Sequence, residues 1–302
     1  MQFPEITVVS VTYQSAGLVP QLADCLRLFA HVVVVDNAST DATVARLREA
    51  LPQAVVMANP RNLGFGAANN LGVQAAKTPF VLLLNPDCSI TPEAMQLLLD
   101  TAQQYPQAGI IAPQSWTPSG QAQLTYRPAF YEKRRSAPYV LPDGVCSSKW
   151  LLGNCLLIRT DLYRAIGGFD EGFFLYYEDE DLCLRMGRSG HECLLQPAAR
   201  AQHRGGGSSR PDWRIDVFKQ YHYALSRQRI RAKYLGLGHA ATCQIKALAG
   251  FLLATPLYAL LLRKKHLLKW LGWGLAMLSP AAFALYIRPP ALSASVLESD
   301  PG

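Results

Sequence analysis

The chain has 302 residues, half of them hydrophobic, which is enough for one large α/β domain with an appendage. A net charge of +7 and a pI near 9.1 favour an anionic partner, such as nucleotide phosphates, nucleic acid or an acidic membrane face. The seven cysteines are scattered and form no CxxC pair, which argues against a disulfide framework or a zinc knuckle and fits a reducing, cytosolic setting.

Strands and helices alternate through the first part of the chain. β-branched and apolar runs predict four strands, at 6–12, 31–36, 54–58 and 80–85. Helices are predicted between them, ending near residue 29 and covering 41–50 and 64–77. This alternation with short loops predicts a doubly wound, mostly parallel sheet flanked by helices.

The pattern is less regular after this point. Predicted elements are a helix at 92–105, a strand at 109–113, a long loop at 115–149 that includes Lys133–Arg135, an apolar run at 149–159 broken by Gly153-Asn154, helices at 160–166 and 178–188, a strand at 192–196, a flexible loop at 203–209 and a basic helix at 213–234.

Polar residues follow the predicted strands. The run Phe80–Leu84 leads into Asn85-Pro86-Asp87, and Pro86 takes the chain out of the sheet. Because open α/β sheets bind ligands at this edge, Asp87 could hold a divalent metal against a phosphate, although it could equally be a turn residue. Asp36 ends the second strand, where a carboxylate can bind the sugar or base of a nucleotide.

Two further stretches carry chemistry. The glycines of 61–70 would let the backbone approach a ligand at a helix N-terminus, but they follow the third strand, which disfavours a dehydrogenase. Four acids, Glu178–Asp181, begin a helix, and a partly dry setting would make one of them a better general base. His203 is a plausible second metal ligand, with a structural histidine as the alternative.

The C-terminal part, 236–302, changes character. Residues 247–262 and 270–287 are uncharged runs of 16 and 18 residues, each below the roughly 20 that span a bilayer. Basic residues flank both runs and fill their connector, which disfavours a two-span hairpin. Helices that lie in the membrane plane or are half-inserted are expected, and a helical pair packed on the domain or on a second copy is the alternative.

Over about residues 5–235, the chain resembles the family 2 glycosyltransferases, which have a GT-A fold. The motifs that carry the resemblance occur in the family's order and spacing. They are Ser10–Tyr13, Val35–Asp41, Asn62–Gly66 with Asn69-Asn70, Leu84–Asp87, Gly167–Asp170 and Phe174–Leu182. The full set is most similar to a bacterial branch that includes rhamnosyltransferases of cell-surface polysaccharide assembly.

The resemblance implies a role for each matched residue. Asp179 would be the catalytic base, with Glu178 beside it, and Gly153-Asn154 would form the acceptor-side wall. Asp87 and His203 would bind Mg²⁺ or Mn²⁺, although Asn85 replaces the first aspartate of the family's DxD motif. The nucleotide-sugar pocket would be formed by Thr12, Tyr13, Asp36, Asn62, Gly64, Asn69 and Asn85.

These roles define an inverting, metal-dependent hexosyltransferase. The donor would be a dTDP-, UDP- or GDP-linked sugar, L-rhamnose among the options, and the acceptor a glycan or a polyprenyl-diphosphate-linked glycan. The expected location is the cytoplasmic face of the inner membrane. No nucleic-acid binding is expected, and the chain could form a homo-oligomer. Alternatives are a sugar nucleotidyltransferase, which would need a basic loop after the first strand, and a catalytically silent, membrane-tethered scaffold.

Overall fold

The computed structural model describes residues 3–132, 140–205 and 212–287. The basic segment predicted at Lys133–Arg135, the part of the predicted 203–209 loop beyond Gly205, and the last part of the C-terminal region lie outside the described residues.

The chain forms two compact units. The first comprises Met1–Gly172 and Glu178–Arg210, and the second comprises Phe173–Tyr177 and Pro211–Gly302. The long basic helix therefore packs with the C-terminal helices, whereas the sequence-based boundary at 235/236 places it with the sheet. The sequence-based boundary follows the change in charge and hydropathy after this helix. The structural division instead follows the packing partners of the helix, which come later in the chain.

The strands have the following bounds: β1 Ile6–Thr12, β2 His31–Asp36, β3 Val55–Ala58, β4 Phe80–Leu84, β5 Cys88–Ile90, β6 Ala108–Trp116, β7 Tyr126–Arg127, β8 Cys146–Ser147, β9 Trp150–Leu151, β10 Cys155–Arg159 and β11 Glu192–His203. The helices of the first unit are α1 Val19–Leu26, α2 Thr43–Ala50, α3 Phe65–Ala75, α4 Pro92–Gln104, α5 Thr160–Ala165 and α6 Glu178–Arg188. The predicted long loop at 115–149 thus includes the end of β6 and two short strands. The strand predicted at 192–196 continues to His203.

The main sheet is mixed. Its order is β3-β2-β1-β4-β10-β6-β11-β5, with β8 also paired to β11. The first four strands are parallel, as the βα alternation predicts. The parallel pattern ends at β10, which lies antiparallel between β4 and β6. Strand β11 then pairs parallel with β6 and antiparallel with β5.

Helices cover both faces of the sheet. Alternate residues of β2 face opposite ways, so that Val32 and Val34 pack with α1, α2 and α4, while Val33 and Val35 pack with α3 and α6. Helix α3 approaches β1 closely at Gly72, where a Cβ atom would overlap the side chain of Val9. Burial on both faces explains why these strands are continuous apolar runs.

The second unit is helical. Its helices are α7 Trp213–Leu235, α8 Leu237–Leu260, α9 Lys264–Leu278 and α10 Pro280–Ile287. Within the described residues, α8 is long and apolar enough to cross a membrane by length and composition, and the pair Lys264–Leu278 and Pro280–Tyr286, bent by 52°, passes the same test as a broken span. Helix α8 begins ten residues before the uncharged run at 247–262, so it is longer than that run predicts.

Candidate active site

Strand pairing brings Asp87 and His203 together. Asp87 immediately precedes β5, His203 ends β11, and the antiparallel register places His203 opposite Cys88. The backbone N–H of Arg204 donates to the carbonyl oxygen of Asp87 at 3.1 Å, which extends the ladder. As a result, Nε2 of His203 lies 3.5 Å from Oδ1 of Asp87. His203 is therefore part of a strand end and does not belong to the predicted flexible loop.

Gln123 fixes the orientation of the His203 ring. Its Nε2 donates to the His203 carbonyl oxygen at 3.0 Å, so its Oε1 is the atom 2.8 Å from Nδ1 of the ring. An amide oxygen can only accept, and Nδ1 must therefore carry a proton. Burial lowers the pKa of His203, and the Asp87 carboxylate opposes this shift. In the neutral ring, the lone pair of Nε2 faces Asp87.

This pair fits a divalent cation. An imidazole lone pair and a carboxylate oxygen are both acceptors, so they repel each other. A cation between them would bind both groups and remove this repulsion. Their separation of 3.5 Å is compatible with two ligands that each lie about 2.1 Å from one ion. No group of three or more His, Cys, Asp or Glu residues that could hold a metal occurs in the described part of the chain. The remaining ligands would therefore be diphosphate oxygens or water.

The part of the candidate site that is predicted to bind the nucleotide begins at the ends of β1 and β2. Parallel pairing aligns Thr12 with Asp36, and the Thr12 hydroxyl donates to Oδ1 of Asp36 at 2.9 Å. Ser39 donates to both carboxylate oxygens, from its backbone N–H at 2.8 Å and from its hydroxyl at 2.6 Å. Asp36 is thus held rigidly at the strand end, and Tyr13 beside it is exposed.

Asn37 connects β2 to the glycine loop. Its Nδ2 donates to the carbonyl oxygen of Gly64 at 2.9 Å, and its Oδ1 accepts from the backbone N–H of Leu63 at 3.2 Å. Asn62 accepts from the N–H of Gly64 at 2.9 Å, and Gly64 has φ +87°, a conformation that suits glycine. The loop before α3 is therefore held beside the end of β2. Asn69 is buried, and its amide donates to Phe65 within α3.

The dipeptide Gly153-Asn154 contacts two predicted parts of the site. The carbonyl oxygen of Asn154 accepts from the backbone N–H of Asn85 at 2.9 Å, next to the β4–β10 ladder. The N–H of Gly153 donates to Oδ2 of Asp179 at 3.2 Å. A Cβ atom at Gly153 would lie 3.0 Å from Cβ of Asp179. The chain that carries Asn85 and Asp87 is thereby joined to Asp179 by two consecutive residues.

The environments of Glu178 and Asp179 differ. Burial, followed by repulsion from Asp179, raises the pKa of Glu178 well above its usual range, and its Oε2 is buried without a hydrogen-bond partner. Burial also raises the pKa of Asp179, but the N–H groups of Glu180 and Gly153 and the charge of Arg127 oppose the shift. Asp179 retains some solvent exposure, whereas Glu178 is buried. Asp179 is therefore the better placed carboxylate for a substrate proton.

The other two acids of the cluster have structural partners. Arg127 forms a bidentate ion pair with Glu180, with N···O distances of 2.8 and 2.7 Å, and stacks over the ring of Trp150. Asp181 pairs with Arg185 at 2.8 Å, one turn along α6. Sequence reasoning placed all four acids together, and the ion pairs separate them into two functional candidates and two structural residues.

Several contributors are absent from the sequence-based prediction. Gln123 and Arg127 lie in what was predicted as a long loop, where no local pattern marks them. Ser39 and Asn37 stand in the Val35–Asp41 motif, but neither was predicted as a site residue. The signal that could have identified Ser39 is its position three residues after Asp36, which suits a turn closed by the carboxylate.

Comparisons with known proteins identify relatives of this chain. A family model described as glycosyl transferase family 2 matches residues 7–155. An N-acetylglucosaminyl-diphospho-decaprenol L-rhamnosyltransferase of Mycobacterium tuberculosis is 29% identical over 245 residues, covering 68% of this chain and 78% of that protein. The rhamnosyltransferase WbbL of Escherichia coli K12 is 41% identical over 54 residues, covering 18% of this chain and 20% of that protein.

Among solved structures, the mannosyltransferase PcManGT from Pyrobaculum calidifontis, in complex with GDP-Man and Mn²⁺, has a TM-score of 0.55 at 16% identity. The match covers 95% of this chain and 88% of that one, and at this identity it shows the fold alone. The mixed sheet with helices on both faces is that of a GT-A glycosyltransferase. Residues 7–155 of the chain belong to glycosyl transferase family 2, and the relatives of the chain include rhamnosyltransferases.

Proposed function

We propose that this glycosyltransferase moves a sugar from a nucleoside-diphosphate donor to a hydroxyl of a lipid-linked glycan, with inversion at the anomeric carbon. The named activities of the relatives support L-rhamnose as the sugar and a polyprenyl-diphosphate-linked acceptor. Such an acceptor would place the reaction at the cytoplasmic face of the inner membrane, within cell-surface polysaccharide assembly.

One observation carries this proposal: Gly153-Asn154 joins Asp179 to the end of β4. On the nucleotide side, Asp36 would bind the base, with Thr12, Tyr13 and Asn69 lining the pocket. Asn62 and Gly64 would shape the loop before α3, whose N-terminus favours phosphate. Asn85 would contribute its side chain between the nucleotide and the metal ligands.

The residues at the other end would perform the transfer. Asp179 would accept the proton of the acceptor hydroxyl, whose oxygen attacks the anomeric carbon as the bond to the diphosphate oxygen breaks. Burial, followed by repulsion from Asp179, raises the pKa of Glu178 well above its usual range, which favours its protonated form and would leave Asp179 as the base. A divalent cation held by Asp87 and His203, Mg²⁺ or Mn²⁺, would neutralise charge on the leaving diphosphate. A single displacement of this kind inverts the anomeric configuration.

The purified full chain tests the proposal. It is incubated with Mg²⁺ or Mn²⁺, with dTDP-, UDP- and GDP-sugars in turn, and with a membrane lipid extract, and nucleoside diphosphate release is measured. Release is expected with one donor and only when the lipid extract is present. The product's anomeric configuration, read by NMR, should be opposite to that of the donor. The absence of turnover with every donor, or retained configuration, would refute the proposal.

Asp87→Ala serves as a second measurement in the same assay. It should weaken nucleoside diphosphate binding in the presence of Mn²⁺ and leave binding in EDTA unchanged, because only the metal-dependent part of the affinity depends on this carboxylate. Equal weakening in both conditions would assign Asp87 a role other than metal binding.

A further inference from the structure

The C-terminal half of α8 exposes a stripe of leucines. Leu252, Leu253, Leu257 and Leu260 recur at helical spacing on one side, and the fractional exposures of Leu253 and Leu260 are 76% and 81%. The stripe continues beyond the helix through Leu261 and Leu262, and the latter is 89% exposed. Scattered exposed leucines are ordinary on a protein surface, but six within eleven residues form a contiguous patch.

Packing within the second unit keeps this stripe outward. Gly250 and Phe251 of α8 contact α9: a Cβ atom at Gly250 would overlap the ring of Trp270, and one at Gly274 would overlap the ring of Phe251. Gln244 donates from Nε2 to the carbonyl oxygen of Met277 at 3.0 Å. Rotation of α8 to bury the leucines would break this close contact between the helices.

The charge beside the stripe has one sign. The leucines run directly into Arg263, Lys264, Lys265 and His266, all exposed, and Lys269 follows one turn later. Residues 217–287 contain ten Lys and Arg residues and no Asp or Glu. Apolar side chains that adjoin unopposed positive charge complement the surface of an anionic lipid leaflet, where the charge meets phosphates and the leucines meet acyl chains.

The distribution of charge distinguishes lying on a leaflet from crossing it. Helix α8 has 24 residues, but its charge-free part begins only after Lys246. Crossing would leave Arg263, Lys264 and Lys265 on the far side of the membrane, against the bias that keeps basic connectors in the cytoplasm. Leu268, Trp273 and Met277 of α9 are buried within the unit and unavailable to lipid. The geometry therefore favours shallow insertion of one face.

We propose that the leucine stripe, Leu252 to Leu262, and the basic segment, Arg263 to Lys269, form a peripheral docking surface for anionic phospholipid. The leucines enter the boundary between headgroups and acyl chains, and the basic residues bind lipid phosphates. This inference deepens the membrane part of the proposed function. It is tested by lipid binding without a sugar donor, so its failure would be separate from a failure of glycosyl transfer.

The experiment is co-sedimentation of the full chain with vesicles of phosphatidylcholine, with and without phosphatidylglycerol. Wild type should bind the anionic vesicles more tightly. Lys264→Ser with Lys265→Ser should weaken binding to anionic vesicles roughly 25-fold, at about fivefold for each charge, and change binding to neutral vesicles little. Leu253→Ser with Leu260→Ser should weaken binding to both, by about tenfold for each leucine.

Val55→Ser is the matched control, because Val55 is an exposed apolar residue on β3 of the first unit, outside the proposed docking surface. It should bind vesicles like wild type, and circular dichroism should show that every variant folds. Three results would overturn the proposal: equal binding of all variants, resistance of the native protein to alkaline extraction from membranes, which indicates a span, or a dimer in light scattering that the leucine variant dissociates.

Discussion

Gln123 contacts His203 twice through one side-chain amide, at the ring Nδ1 and at the backbone carbonyl oxygen. Two hydrogen bonds from one planar group fix both the tautomer and the direction of the ring. Partners of this kind determine how well a histidine can bind a metal, because they orient the lone pair and set its basicity. Gln123, which was not predicted as a site residue, therefore orients His203, which was.

Gln123→Leu should weaken Mn²⁺ binding roughly tenfold to a hundredfold, because His203 loses the group that orients it. Binding is measured calorimetrically with nucleoside diphosphate present, and His203→Ala gives the value for complete loss of the ligand. Gln121→Leu, at an exposed position two residues away, is the matched control and should bind Mn²⁺ like wild type. Unchanged Mn²⁺ affinity in Gln123→Leu would show that Gln123 does not position His203.

Asp179→Asn should lower kcat by a factor of about 10² to 10⁴, the range in which a general base contributes, because the amide cannot accept the substrate proton. Nucleotide binding, measured by the same titration, should persist. Asp161→Asn, a substitution at an exposed acid in the first turn of α5, should keep wild-type turnover. Turnover near the wild-type rate in Asp179→Asn would assign the base elsewhere.

The stability of Glu178→Gln relative to wild type should increase as the pH rises. Burial raises the pKa of Glu178 in the folded state above its usual value of 4.5. The folded protein therefore holds this proton more tightly than the unfolded chain, and the associated stability, present below pH 4.5, is lost as the pH rises towards the folded-state pKa. The uncharged amide avoids that loss.

The measurement for Glu178 is Tm at pH 4 and pH 8. The difference between Glu178→Gln and wild type should be more positive at pH 8. Glu132→Gln, at an exposed position, controls for the chemical change itself and should alter Tm little at either pH. A difference that is the same at both pH values would mean that Glu178 is not held protonated by the fold.

Arg127→Met should destabilise the first unit by about 3–5 kcal/mol, because it leaves the fully buried carboxylate of Glu180 without its partner. Urea unfolding measures the change. The comparison is Arg27→Met, which removes an exposed ion pair with Asp24 and should cost about 0.5 kcal/mol or less. Similar losses in the two variants would show that burial of the Arg127–Glu180 pair has no special importance.

The first four strands could be predicted because their information is local. Phe80–Leu84 is apolar because both faces of β4 are covered, and Pro86 ends the strand wherever its neighbours lie. Asp36 and Asp87 were placed at strand ends on this basis alone. The helix beginning at Glu178 was likewise predictable from the four acids at its start.

The remainder depends on pairing between distant residues. His203 reaches Asp87 because β11 continues past a register shift after Gln196 and pairs with β5. The sequence at 196–203 carries no sign of that continuation, since its partners on β5 lie more than a hundred residues away. Arg127 and Gln123 similarly acquire their functions from Glu180 and His203, which only the folded chain brings near.

The position of β10 has a consequence for the order of folding. Strands β1 to β4 are synthesised before β10. Until Arg159 has been synthesised, β4 is an edge strand whose backbone N–H and C=O groups are unpaired on one side and whose apolar side chains are exposed. The family-matching segment ends at residue 155, the first residue of β10. A fragment that ends at this residue would keep β4 as an unpaired edge strand and would therefore aggregate. On the ribosome, the nascent sheet closes only once β10 has emerged.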